Sequence, residues 1–354
     1  MAKRSQVIRI AGRAVGEGQP VFIIAEAGVN HNGKLALAKK LVDAAKAAGA
    51  DAVKFQTFKA SEVVTARGTM AAYQRRNTGR AESQLKMLKR VELSAKDFAA
   101  LAKHAKRRGI IFLSAAHGGM SSVDLLARLK VPAFKFGSAD TDNLPVLAHA
   151  ARLKKPMILS TGMSDLREVA EAVRAVRKAG NNKIVVLQCT TDYPAALADT
   201  DLRAMQSMAR RLKVIPGYSD HTIGSQAAVM AVTLGATVIE KHLTLNHNLP
   251  GPDHKASANP QEFKKFVQGL RDVEVILGSP LKTVKKSARQ YLPLVKKSLV
   301  ARGPIRKGER FTAANVAIKR PSGGLPPKAY FVVLGKRAAR NLNADDFIHR
   351  KDYV

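Results

Sequence analysis

The sequence predicts an α/β protein, a TIM (β/α)8 barrel followed by a small β-rich domain. Three observations carry that expectation. Eight short apolar segments recur before residue 280, with amphipathic helical sequence between most of them. Each βα unit leads to a parallel strand, and eight such units in about 250 residues is the arithmetic of a closed barrel. No Gly-x-Gly-x-x-Gly turn follows the first segment, which disfavours a doubly wound sheet. After Gly278-Ser-Pro280 the helical periodicity fades and a basic run begins.

Val21-Phe-Ile-Ile-Ala25 is the first strand. Leu35 to Ala48 then reads as an outer helix with Leu37, Leu41, Ala44, Ala45 and Ala48 on one face, stopped by Gly49. Ala52-Val-Lys-Phe55 is the second strand, and Ile110-Ile-Phe-Leu113 and Ala133-Phe-Lys-Phe136 are the third and fourth. Met157-Ile-Leu159, Ile184-Val-Val-Leu187, Val214-Ile215 and Thr237-Val-Ile239 complete the eight. The expected boundaries are a barrel over 1–280, a basic linker over 281–297 and a β-rich module over 298–354, where strand-like sequence resumes at Ser298-Leu-Val300.

The chain has 354 residues, 46% of them hydrophobic, enough for a sizeable core. Its 60 Lys and Arg against 27 Asp and Glu give a formal charge of +33, so its surface should attract anions. Leu281 to Arg310 holds ten basic residues and one acid, Glu309, but Tyr291 is its sole aromatic and no nucleic-acid motif is present. Nucleic acid is therefore not the expected partner. No apolar run approaches the roughly 20 residues that span a bilayer. The single cysteine, Cys189, cannot form an intrachain disulfide, and Met1 to Gln6 leads into Val7-Ile-Arg-Ile10 instead of an unbroken apolar stretch. A cytoplasmic protein is expected.

Polar residues inside the strands mark the site. In Val53-Lys-Phe-Gln56, period-2 alternation turns Lys54 and Gln56 away from Val53 and Phe55, toward the barrel interior near its carboxyl end. Lys135 repeats the pattern between Phe134 and Phe136, and Ser138 and Ser160 fall just past strand ends. A buried ammonium must meet either a ligand anion or an internal carboxylate. Glu26, ending the first strand, is either a substrate-handling carboxylate or that internal partner. His221 and His242 follow the seventh and eighth strands and should open onto the same mouth, as a divalent-metal pair or as hydrogen-bonded structural residues. His31 either joins the mouth or caps its loop, and Asp253, in Pro250-Gly-Pro-Asp253, sits on a rigid loop above it or in a plain turn.

Together these segments resemble the sialic acid (N-acetylneuraminate) synthase family of phosphoenolpyruvate-condensing enzymes. The resemblance rests on Ile24-Ala-Glu-Ala-Gly-Val-Asn-His-Asn-Gly33, Gly49-Ala-Asp-Ala-Val-Lys-Phe-Gln-Thr57, Tyr73-Gln with Asn77-Thr-Gly79, Leu159-Ser-Thr-Gly-Met163, Gly217-Tyr-Ser-Asp-His-Thr222, Val238-Ile-Glu-Lys-His242 and Pro250-Gly-Pro-Asp253. The tail, from Lys297-Ser-Leu-Val300 through Lys319-Arg-Pro321 to Leu334-Gly-Lys336, resembles the antifreeze-like (SAF) domain that closes these proteins.

The resemblance implies an enzyme that joins phosphoenolpyruvate to open-chain N-acetylmannosamine and releases phosphate by carbon–oxygen cleavage. Legionaminic or pseudaminic acid synthesis from a diacetamido-trideoxy hexose is the alternative within this chemistry. A basic scaffold for nucleic acid or acidic polysaccharide is the alternative outside it. The resemblance further implies a divalent metal, manganese before magnesium or cobalt, on His221 and His242. It places phosphoenolpyruvate on Lys54, Lys135, Ser138, Ser160, Thr191 and Ser219. The amino sugar falls to Gln56, Tyr193, Asp253 and Arg320, with Glu26 positioning it or handling protons. Arg320 would reach the other subunit's site, which requires a domain-swapped homodimer. Three places depart from the family pattern: Ser114-Ala-Ala-His117 stands where a Ser-Thr-Pro-Phe type turn is common, Thr191 where some members have asparagine, and Ala139-Asp140 where Gly-Glu or Gly-Asp is usual. The first departure removes a hydroxyl that could meet phosphoenolpyruvate.

Overall fold

The computed structural model describes residues 6–354 apart from Ala81. The chain divides into two compact units, one ending at Gly278 and one beginning at Ser279.

The first unit is a closed barrel of eight parallel strands in the order β10-β3-β4-β5-β6-β7-β8-β9. These are β3 (Phe22–Gly28), β4 (Ala52–Thr57), β5 (Ile111–Ala116), β6 (Phe134–Phe136), β7 (Met157–Ser160), β8 (Ile184–Cys189), β9 (Ile215–Asp220) and β10 (Val238–His242). All eight expected strands are present. Their outward residues, such as Val53, Phe55, Phe134 and Phe136, pack with the helices in one continuous apolar cluster.

The helix Leu35–Ala47 buries Ala38, Leu41, Val42 and Ala45. The expected face was therefore turned by about one residue: Leu37 and Ala44 flank the buried stripe, whose i, i+3, i+4, i+7 spacing is followed more strictly by 38, 41, 42 and 45. Gly49 ends the turn at φ +87°, a conformation open to glycine at little cost.

Two further strands, not foreseen from the sequence, precede the barrel. β1 (Val7–Ile10) and β2 (Arg13–Gly16) form an antiparallel hairpin around Ala11-Gly12, both at positive φ as a two-residue turn of this hand requires. Ile8, Ile10 and Val15 of the hairpin cluster with inward residues at the amino ends of the barrel strands, including Phe22, Ile24, Leu113, Ile158 and Val238. The hairpin thus stoppers the barrel at that end and leaves the carboxyl end open.

In the second unit β11 (Ser298–Ala301) pairs antiparallel with β12 (Val316–Lys319). Isolated bridges such as Ile305 with Leu342 and Ala338 with Tyr353 extend the pairing around a core of Leu299, Phe311, Val333 and Ile348. Asp352 receives Arg340 Nε at 2.8 Å and the backbone N–H of His349. Burial opposes its charge, but these donors outweigh burial and hold the carboxyl below its ordinary range. The segment 281–297, expected as a basic linker, contains two short helices, Lys286–Arg289 and Leu292–Val295. Among the described residues no helix is long and apolar enough to cross a membrane.

Candidate active site at the open end of the barrel

Alternation along each strand builds the site. Two residues beyond the apolar inward layer, the same strands present Glu26, Lys54, Lys135, Ser160, Ser219 and Glu240, all buried. They line a cavity of about 150 Å³ together with Gln56, Ser138, Thr191, Tyr193, His221 and His242. A larger cleft of about 700 Å³ lies among the amino ends of β9 and β10, but its charged lining, Glu17, Arg210 and Lys213, is exposed and held by no buried network. The convergent buried polar groups are at the carboxyl end, where a barrel's chemistry resides.

The two inward lysines are ion-paired inside the protein. Lys54 Nζ lies 2.8 Å from Glu26 and 3.6 Å from Glu240, and Lys135 Nζ lies 3.6 Å from the other oxygen of Glu240. Cross-strand register brings Glu26 opposite Lys54 and His242 opposite Glu26. Lys135 also donates to Ser160 Oγ at 2.7 Å, Ser219 Oγ donates to Glu240 at 3.0 Å, and Gln56 Nε2 donates to Glu26 at 3.1 Å. Burial penalises all four charges, and the pairing decides which survive. Glu240 overcomes its burial through Lys135 and Lys54 and is held at about 2. Lys54 overcomes burial through Glu240 and Glu26 and is raised, whereas burial lowers Lys135. Glu26 is raised by burial and by Glu240 against the pull of Lys54, so it is the carboxyl of this cluster most ready to take a proton.

Above this floor stand the two imidazoles, with ring centroids 5.5 Å apart. His221 Nδ1–H donates to the Thr190 carbonyl at 2.7 Å, which leaves Nε2 as its ligand nitrogen. His242 is buried and held well below its ordinary value, first by burial and then by His221 and Lys54, while its Nδ1 has no hydrogen-bond partner. An unpartnered neutral imidazole beside an oriented one fits a divalent cation. Among the described residues no third His, Cys, Asp or Glu joins them in ligand geometry, so these two imidazoles are the protein ligands on offer. Tyr193 stacks 4.2 Å from the His221 ring, and Tyr73 lies 5.1 Å from Tyr193.

Ser138 Oγ accepts from the Gly162 N–H at 2.9 Å, and Gly162 lies so close to Thr191 that a Cβ there would fall 2.4 Å from Thr191 Oγ1. Glycine is required at that approach. Asp253 is buried, and burial with the neighbouring Glu26 pushes its carboxyl up to about 7 against the pull of His221. It does not line the cavity itself. His31 accepts the Gly33 N–H through Nδ1 at 3.1 Å and is lowered to about 4 by burial, so its observed part is the loop cap. Arg320 is exposed in the second unit.

Glu240, Cys189 and His117 line the cavity without having been singled out as site residues. Glu240 was open to the reasoning that found Lys54, because Val238, Glu240 and His242 alternate on one face of β10. Cys189 sits 3.7 Å from His221 Nδ1 and 3.8 Å from Ser138 Oγ, and His221 and Ser138 outweigh burial to lower its thiol.

A sequence profile of the NeuB family matches residues 41–282, and one of the SAF domain matches residues 296–354. An N,N'-diacetyllegionaminic acid synthase of Campylobacter jejuni is 46% identical, with 92% of this chain and 98% of that protein covered. The N-acetylneuraminate-9-phosphate synthase of Homo sapiens is 35% identical, with 95% and 94% covered. Among solved structures, the spore coat polysaccharide biosynthesis protein SpsE of Bacillus subtilis aligns at a TM-score of 0.67 and 35% identity over 99% of both chains.

Proposed function

The chain belongs to the NeuB family, and from that premise we propose that it condenses phosphoenolpyruvate with an open-chain N-acetylated amino sugar to give a nine-carbon acidic sugar. The observation that carries this reading is the buried Lys54, Lys135, Glu240 and Glu26 cluster beneath two apposed imidazoles in the barrel mouth. It offers an anion floor and a carbonyl-facing pair in one cavity.

The sequence put N-acetylmannosamine first as acceptor. The similarity to a diacetyllegionaminic acid synthase, at 46% against 35% for the human enzyme, favours a diacetamido-trideoxy hexose instead. In the proposed reaction the methylene carbon of phosphoenolpyruvate bonds to the sugar aldehyde carbon, whose oxygen gains a proton. Water adds to the carbon bearing the phosphate, and phosphate leaves with its bridging oxygen, giving a keto acid.

Lys54 and Lys135, with Ser138, Ser160, Thr191 and Ser219, hold the phosphate and carboxylate. Desolvation in this cavity strengthens each contact. Gln56, Tyr193 and Asp253 orient the sugar, and Glu26, raised by burial, exchanges the proton at the new hydroxyl. His221 and His242 would hold the divalent metal, most readily manganese, with magnesium and cobalt the alternatives. When bound, that ion supplies Lewis-acid polarisation of the aldehyde. Arg320 is assigned to the N-acyl group in the second subunit of a domain-swapped homodimer.

The test is phosphate release from phosphoenolpyruvate by manganese-loaded protein with N-acetylmannosamine, its glucosamine isomer and diacetamido-trideoxy hexoses, with product mass read directly. Fastest release with a diacetamido sugar, and a product heavier by a pyruvate unit, is the expected result. Preference for N-acetylmannosamine would restore the first acceptor, and silence with every sugar from folded protein would overturn the synthase.

A further inference from the structure

The turn after β5 places an imidazole where the cavity wall otherwise lacks a polar atom. Ala115, the inward residue paired with Lys135 across β5 and β6, is buried and has no hydrogen-bonding side chain. Two residues on, His117 lines the cavity beside Gly137 and Ser138. Its backbone N–H is fixed on the Thr57 carbonyl at 3.0 Å, and its ring Nδ1 lies 2.8 Å from Asp140 Oδ2. Asp140 is buried at the end of the turn Ser138–Asp140, which also carries Ser138.

The ring packs edge-on against Gly137, where a Cβ would fall 2.3 Å from His117 Cε1. Glycine at 137 therefore admits the ring, and Asp140 aims it. With Nδ1–H given to the carboxylate, the far nitrogen, Nε2, has no protein partner among the described residues. A ring that carries hydrogen on both nitrogens donates there while Asp140 keeps the other N–H.

The charge balance of the floor makes this position matter. Lys54 and Lys135 are already matched by Glu26 and Glu240. An entering phosphate or carboxylate thus shares Lys54 and Lys135 with Glu26 and Glu240, and a further N–H donor on the wall adds to what the floor supplies.

We propose that His117, oriented by Asp140, is an anion-binding residue of this site that donates through Nε2 to the phosphate or carboxylate of phosphoenolpyruvate. This rests on the synthase reading above for the identity of the anion, but the donor itself is legible without turnover. The experiment is His117→Phe, which keeps a planar ring and removes both nitrogens. It is compared with wild type by steady-state kinetics and by calorimetric binding of inorganic phosphate and of pyruvate to the manganese-loaded protein.

The expected result is a KM for phosphoenolpyruvate raised roughly tenfold, with the sugar KM unmoved and kcat reduced far less. Weakened phosphate binding would assign the donor to the phosphoryl group and weakened pyruvate binding to the carboxylate. Asp140→Asn should shift the same constant in the same direction by a smaller factor, and His117→Gln should recover part of the loss. An unchanged KM and unchanged binding of both anions, with only the melting temperature lowered, would make the pair structural and overturn the proposal. If wild type shows no turnover yet loses phosphate or pyruvate affinity in His117→Phe, the anion site stands and the synthase reading falls.

Discussion

Two layers of the barrel interior, one pleat apart on β3, β4, β7 and β10, could hardly differ more. The lower layer is Ile24, Ala52, Leu113, Ile158, Val185 and Val238, sealed beneath by the hairpin. The upper layer is Glu26, Lys54, Lys135, Ser160, Ser219 and Glu240. Moving two residues along Ile24-Ala-Glu26 or Ala52-Val-Lys54 crosses from one to the other. Apolar contact stabilises the first layer, whereas the second consists of desolvated charges and hydroxyls that are tolerable because they face one another. On those four strands stability and chemistry are thus divided by depth.

The sharpest way to break that division is Lys135→Met, which removes an upper-layer ammonium at nearly constant volume. Phosphate release should fall by about a thousandfold or more while the circular dichroism spectrum and solubility persist. A variant that simply unfolds would show the upper layer to be structural after all. Leu113→Ala, in the lower layer, should do the reverse. Denaturant titration should show a loss of about 3 kcal/mol from the vacated volume, with the KM for phosphoenolpyruvate unchanged in the folded fraction.

The smallest effect concerns the rim. Asp253 is raised from 3.8 to about 7 by burial and Glu26. Because the native state holds this proton more tightly than the unfolded chain, its contribution to stability is complete below about pH 4 and is lost as pH rises toward 7. Asp253→Asn should remove that slope, so the unfolding free energy from denaturant titration should vary less with pH over that range than in wild type. An identical slope in both proteins would place Asp253 in water.

The layers were legible to different degrees. Strand number followed from apolar segments of the right length, and the inward direction of Lys54 and Lys135 followed from alternation alone. The same alternation turns Glu240 inward, but its pairing with them was not legible, because only barrel closure brings the last strand against residues of the second and fourth. His242 and Glu26 were separately visible, but their opposition is a matter of register between the first and last strands. The hairpin was missed because Val7-Ile-Arg-Ile10 is short and its turn, Ala11-Gly12, is a weak signal beside Asn-Gly. The helical face erred by one position because alanine-rich sequence gives nearly equal stripes on adjacent faces.

That hairpin also bears on how the chain reaches this state. Its three apolar side chains precede the barrel in sequence, yet the surface that receives them includes Val238, some 230 residues later. Loop closure over such a span is entropically expensive and is recovered only when the eighth strand docks. Until then Ile8, Ile10 and Val15 have no shared socket. The chain should therefore gain its full cooperativity in a late step that joins its beginning to the end of the barrel, and a nascent chain halted before β10 should leave the hairpin open to protease.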